Sequence, residues 1–152
     1  VDIFVILLGN TVMIDSDLID ESLRLLINDK DATGVCSVWR AADDHPQRAM
    51  ELKEGYLYSH SSVIPQKDAT TDRSSYKPAF FYDQGVWAFK SKNLEKSKGP
   101  ATWNWLGDKV IPLERPWITG RDINGPFDFN FHKQWDSLKK TPKDFKIKNL
   151  SQ

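Results

Sequence analysis

The hydrophobic pattern opens on a nearly continuous apolar run, Ile3-Phe4-Val5-Ile6-Leu7-Leu8. A run without polar alternation predicts a strand buried on both faces, as in a parallel sheet. Gly9-Asn10-Thr11 then breaks it with small and polar residues. Leu18, Ile19, Leu23, Leu26 and Ile27 recur at helical spacing and predict a helix with one apolar face. Asp15 or Ser16 can cap it, and Asp17, Asp20 and Glu21 sit early, where the helix dipole favours acids. Asp29-Lys30-Asp31 closes it. Thr33 to Ala41 is rich in β-formers, with Val35, Ser37 and Trp39 on one side and Cys36 and Val38 on the other. Strand, helix and strand in that order predict a βαβ unit with a right-handed crossover.

Ala49-Met50-Glu51-Leu52 and Tyr56-Leu57-Tyr58 flank Lys53-Glu54-Gly55, the pattern of a β-hairpin with glycine in its turn. His60 to Lys77 is polar and aperiodic, a long loop of the kind that is usually functional or disordered. Ala79 to Lys90 reads as a second long core strand, interrupted at Asp83-Gln84-Gly85. Asn93 to Lys98 suits a short helix, Trp103 to Leu106 an aromatic turn, and Lys109 to Leu113 a strand ending at Glu114-Arg115. Pro126 fits the first turn of a helix running through Phe129, Trp135 and Leu138 toward Lys140.

Composition narrows the class. Lysine plus arginine equal aspartate plus glutamate, 21 against 21, so no bulk field would gather a polyanion and nucleic acid is not expected as a partner. Cys36 is the only cysteine and lies in an apolar strand, which points to a core thiol in a reducing, cytoplasmic compartment. No apolar run approaches the roughly 18 residues of a membrane span. Val1-Asp2 leading straight into a core strand, with no basic region before it, reads as the later part of a domain and not as a signal peptide. The absence of repeats and low-complexity linkers gives one domain over 1–142, with a segment of about 44–78 inserted and 143–152 a loosely held basic tail.

Common signatures of phosphate-loop, dinucleotide, zinc and serine-hydrolase chemistry are absent from the sequence. The most informative segment is Arg121-Asp122-Ile123-Asn124-Gly125-Pro126-Phe127-Asp128-Phe129. In an extended stretch Asp122 and Asn124 point the same way and offer two oxygen ligands to a hard cation such as Mg²⁺. Alternatively, Asn124 caps the helix that Pro126 begins and Asp122 pairs with Arg121. Arg48 and Arg73 have the fork geometry that grips a carboxylate, or are solvated surface charges. Asp83 and Gln84, interrupting an apolar strand, either line a cleft or form a bulge. Asp128 and His132 have an i,i+4 spacing that suits a metal but is commoner between exposed neighbours. The six tryptophans read mostly as core, with Trp103 and Trp105 the two that can wall a sugar or base.

The order of these motifs resembles the acylneuraminate cytidylyltransferase family, which attaches CMP to acidic sugars. Asp122-Ile123-Asn124-Gly125-Pro126-Phe127-Asp128-Phe129 is similar to its D-I-D-T-x-x-D-F motif. Leu7-Leu8-Gly9-Asn10-Thr11 stands where the family has a strand followed by L-Q-P-T-S-P. His45-Pro46 with Arg48 resembles its H-P-x-[K/R] element, ahead of a K-L-x-x-G-x-L hairpin seen here as Glu51 to Leu57. Arg73 to Phe89, through Tyr76, Pro78-Ala79 and Gly85-Val86-Trp87, resembles R-Q-x-x-P-x-x-Y-x-x-N-G-A-I-Y.

The resemblance implies a Rossmann-like α/β nucleotidyltransferase fold, incomplete here, with an inserted β-hairpin that serves dimerisation. It implies Mg²⁺ as cofactor, CTP and an acidic sugar of the sialic acid type as substrates, and a homodimer. Asp122 would be the catalytic metal ligand, with Asn124 in the place of the second carboxylate. Arg48 and Arg73 would face the sugar carboxylate, reached across the dimer, Asp83 or Gln84 would touch the sugar, and Asn10 and Thr11 would line the nucleotide side. The chain departs from the family in three ways: Gly9-Asn10 replaces Q-P, Asn124 replaces an aspartate, and the strand and Gly-, Arg- and Lys-rich loop that grip the CTP phosphates are absent from the sequence. An enzyme for 3-deoxy-manno-octulosonate and a non-catalytic sugar- or nucleotide-binding relative are the alternatives.

Overall fold

Alternation of buried and exposed positions shapes a mixed α/β architecture in the computed structural model, which describes residues 2–60, 70–95, 99–100, 102–137 and 148–149. In chain order the elements are β1 (Ile3–Ile6), α1 (Ser16–Asn28), β2 (Gly34–Arg40), β3 (Met50–Lys53), β4 (Tyr56–Ser59), β5 (Phe80–Lys90), β6 (Val110–Glu114), α2 (Pro126–Ser137) and β7 (Lys148–Asn149). The chain divides into two compact units, Val1–Trp39 with Tyr82–Gln152, and Arg40–Phe81. The second contains the segment of about 44–78 expected as an insertion.

The main sheet has the strand order β1-β5-β2-β6-β7. β1 runs antiparallel to β5, from Ile3 opposite Lys90 to Ile6 opposite Trp87, and β2 runs parallel to β6, from Gly34 opposite Val110 to Val38 opposite Glu114. β7 pairs antiparallel with β6 at Leu113 and Glu114, so part of the segment expected as a loose tail is a strand.

β1 and β2 lie in one sheet with β5 between them, so α1 connects strands that are not direct neighbours. One sequence expectation needs correction. β1 is shorter than its apolar run and is not buried on both faces: Phe4 and Leu7 are exposed. Among the described residues β1 pairs on one side only, and Phe4 covers itself by stacking on Phe89, ring centroids 5.5 Å apart. An unbroken apolar run cannot distinguish such an edge from a sheet centre.

Asp15 caps α1, its carboxylate accepting the Leu18 N–H at 2.9 Å. The helix buries Leu18, Ser22, Leu25 and Leu26, while Ile27, expected on the apolar face, is exposed. Ser22 can be buried because its hydroxyl donates to Ile19 O at 2.7 Å. Leu18, Leu25 and Leu26 meet Val35, Val86, Ala88, Ile111 and Leu113 in one core. Trp87 and Phe89 pack instead with Trp103 and Trp105.

Tyr82 belongs to the same aromatic group, 4.5 Å from the Trp103 ring and 6.4 Å from that of Trp87. Strict two-residue alternation would put residues 82 and 87 on opposite sides of a strand. The shift falls at Asp83-Gln84-Gly85, where Gln84 has a φ of 60°. The interruption read in the sequence is therefore a bulge-like step inside one continuous strand.

The expected helix after β5 is a 3₁₀ turn, Ser91–Glu95, and residues 96–98 lie outside the described residues. α2 begins at Pro126 as expected, but Phe127 and Phe129 are exposed and His132 is its buried residue. Leu138 and Lys140 lie outside the described residues.

In the second unit β3 and β4 pair from Met50 opposite Ser59 to Lys53 opposite Tyr56. The two turn residues, Glu54 and Gly55, have φ of 51° and 85°, the left-handed pair that a tight hairpin requires. His45 accepts the Gln47 N–H on Nδ1, so its Nε2–H donates to Lys77 O at 2.9 Å and fastens the start of the unit to its end. Of the long polar loop, 61–69 lie outside the described residues, and Asp72 caps a 3₁₀ turn at Arg73–Ser75.

Candidate functional site

The short polar break after β1 and the segment before α2 come together across more than a hundred residues of sequence. Thr11 and Asp122 form an isolated antiparallel bridge, and Ile123 N–H donates to Asn10 O at 2.8 Å. The Asn10 amide nitrogen faces Asp122 Oδ2 at 3.3 Å, Asn124 Oδ1 at 3.3 Å and Ile123 O at 3.5 Å. Asn124 Nδ2 donates to Asp122 Oδ2 at 2.9 Å, so Asp122 and Asn124 do project to the same side.

Both simpler assignments for these residues fall away. The Asn124 side chain meets Asn10 and Asp122 and not the first N–H groups of α2, while its own N–H donates to the Asp128 carboxylate at 3.1 Å. Arg121 pairs with Asp128 at 3.9 Å, not with Asp122. His132 bonds the Arg121 carbonyl at 2.8 Å, so Asp128 and His132 serve separate local partners.

The donors suit a hard cation. Asp122 brings charge, and Asn124 Oδ1 with Ile123 O brings neutral oxygen, the set Mg²⁺ takes when water and phosphate complete its shell. Among the described residues no three His, Cys, Asp or Glu side chains converge, so amide and backbone oxygens are essential to such a site. Thr11, next to Asn10, is buried, and among the described residues its hydroxyl has no hydrogen-bond partner.

Under this site lies a buried charge that sequence reading passed over. Arg115, directly after β6, is 5% exposed. Its Nη1 meets Asp83 Oδ2 at 3.0 Å, and its Nη2 donates to Met13 O and to Thr119 O, the latter at 3.2 Å. One guanidinium thus ties the segment after Thr11, the step in β5 and the approach to Asp122. The fit is close: a Cβ on Gly120 would stand 2.4 Å from Asp83 Cβ. The available signal was a charged residue between an apolar strand and Pro116, which does not reveal its partner.

Asp83 is correspondingly not placed for a sugar. It is fully buried, with one oxygen on Arg115 and the other accepting the Gly85 N–H at 2.9 Å. Of the Asp83–Gln84 pair only Gln84 retains exposure. Cys36 is buried as expected, and that burial, with the nearby Asp83 charge, pushes its thiol up to about 12.

Arg48 and Arg73 belong to the second unit, where both guanidinium groups meet the exposed carboxylate of Asp43. The structure thus joins Asn10, Thr11, Asp122 and Asn124 in one unit and Arg48 with Arg73 in the other. In comparisons with known proteins, the chain matches no family model and no curated protein.

Proposed function

We propose that the chain is the sugar- and cation-handling part of a cytidylyltransferase that transfers CMP from CTP to an acidic sugar of the sialic acid type. The observation that carries this reading is the Asn10–Asp122–Asn124 contact, which unites two segments that independently resemble family motifs. A mixed sheet with α1 on one side is compatible with the Rossmann-like nucleotidyltransferase fold that the reading requires. The buried free thiol suits a cytoplasmic protein.

In the proposed reaction the anomeric hydroxyl of the sugar attacks the α-phosphorus of CTP, and the bond to pyrophosphate breaks. Asp122 and Asn124 would hold Mg²⁺, which offsets phosphate charge. Reached across the proposed dimer, Arg48 and Arg73 would exchange Asp43 for the sugar carboxylate, which suits their forked donors. Gln84 would touch the sugar, and Asn10 and Thr11 would border the nucleotide. Met50, Leu52 and Leu57 share one exposed hairpin face and suit the proposed homodimer contact.

The test is calorimetric titration with Mg²⁺ present, using CTP, CMP-sialate, sialate, 3-deoxy-manno-octulosonate and a neutral hexose. An acidic sugar and CTP are expected to bind and the hexose not. Asp122→Ala should abolish the Mg²⁺-dependent part of nucleotide binding, and Arg48→Ala with Arg73→Ala should abolish sugar binding. Because the sequence has no phosphate-gripping loop, these 152 residues are expected to bind without releasing pyrophosphate. Failure of both CTP and every acidic sugar to bind would overturn the proposal.

A further inference from the structure

Two buried or half-buried asparagines each face three oxygens, and their distances differ in an informative way. Asn93 Nδ2 lies 2.9 Å from Thr33 O, 3.2 Å from Trp105 O and 3.0 Å from Leu106 O, all within the range of ordinary hydrogen bonds. Asn10 Nδ2 lies 3.3, 3.3 and 3.5 Å from Asp122 Oδ2, Asn124 Oδ1 and Ile123 O, all beyond that range. Each amide nitrogen shares two hydrogens among three oxygens, so what sets Asn10 apart is the length of its contacts. The hydroxyl of the adjoining residue, Thr11, is buried and has no hydrogen-bond partner among the described residues.

The orientation of the Asn10 amide follows from its neighbours: its own oxygen turned toward these three would be repelled. A cation among the same oxygens reverses that preference. We infer that Asn10 is the third side chain of the cation site, holding its nitrogen toward the oxygens without metal and turning Oδ1 inward to ligate a divalent ion. Rotation about the last side-chain bond accomplishes the exchange without moving the backbone, which the Thr11–Asp122 bridge and the Ile123 N–H bond keep in place. Asn10 thereby supplies an oxygen ligand to a site that has Asn124 where the family has a second aspartate. The inference rests on reading Asp122 as a cation ligand.

Mn²⁺ titration followed by electron paramagnetic resonance tests it on the whole chain, with thermal melting as a check on folding. Native protein is expected to bind Mn²⁺ and Asp122→Asn to lose it. Asn10→Ala should weaken binding about tenfold, the lower end of what losing a supporting metal-site group costs. Asn10→Asp keeps the shape and adds charge, so it should bind about tenfold more tightly. It should also melt below the native protein without Mg²⁺ and recover with it, because the new carboxylate repels Asp122 until a cation intervenes. Unchanged affinity in both Asn10 variants, with Asp122→Asn still defective, would overturn the role of Asn10 and leave the cation reading standing. Tighter binding by Asn10→Ala would do the same, by showing that the amide only blocks the site. Mn²⁺ binding that ignores Asp122→Asn, or its absence in the native protein, would overturn both.

Discussion

Each unit of this chain contains an arginine–aspartate group, and burial separates their roles. The Arg115 and Asp83 side chains are 4% and 0% exposed and meet at 3.0 Å. Asp43, which receives both Arg48 and Arg73, is 77% exposed, and its arginines are 46% and 63% exposed. Buried charges lose their hydration and depend on each other and on surrounding backbone carbonyls. Exposed charges keep their hydration and exchange partners freely. Identical side-chain chemistry therefore serves as scaffold in one unit and as an exposed, hydrated ion-pair group in the other.

The largest expected effect breaks the buried group. Arg115→Met should destabilise the chain by about 3–5 kcal/mol in urea unfolding, because Asp83 keeps a buried charge with its main partner gone. Adding Asp83→Leu should restore a good part of the loss, since an apolar pair needs no compensation. Little loss in the single variant would mean that water reaches Asp83. Arg115 would then be no more a scaffold than Arg48.

A smaller effect maps the same interior through Cys36. Its thiol is raised from an ordinary 9.0 to about 12, first by burial and then by the Asp83 charge. Below pH 9.0 both folded and unfolded chains keep the proton, so the thiol is neutral toward stability. Between 9.0 and about 12 the unfolded chain releases it while the folded chain holds it, so stability falls as pH rises. From pH 8 to pH 10 the native chain should lose about 1.4 kcal/mol more than Cys36→Ala does. Unfolding curves at the two pH values measure this. An equal loss in both would place the thiol in contact with water.

These two cases also show what the sequence made legible. Cys36 could be recognised as core because its neighbours Val35 and Val38 are apolar and both are buried. The hairpin turn was legible from Glu54-Gly55, and α2 from Pro126, since local backbone preference sets both. The projection of Asp122 and Asn124 to one side followed from alternation alone. What alternation could not supply was long-range pairing. Nothing near Arg115 points to Asp83, which is 32 positions away, and nothing in the Ile3-to-Leu8 run shows that its neighbour is β5. Asp83 itself was misleading because polarity in a strand marks a cleft or a buried network equally well, and only its partner decides.

The smallest expected effect on stability comes from the exposed group. Asp43→Ala removes both ion pairs of Arg48 and Arg73, yet should cost less than about 1 kcal/mol in the same urea assay. The remaining interaction should fade further as salt rises toward 1 M, where screening acts within a few ångströms. Its effect on binding should be larger and opposite in sign. With Asp43 gone, Arg48 and Arg73 no longer have that carboxylate to surrender, so an acidic sugar should bind more tightly, while a neutral hexose should show no change. A stability loss comparable to that of Arg115→Met would identify Asp43 as a structural anchor, and the two arginines would then hold the second unit together instead of awaiting a substrate.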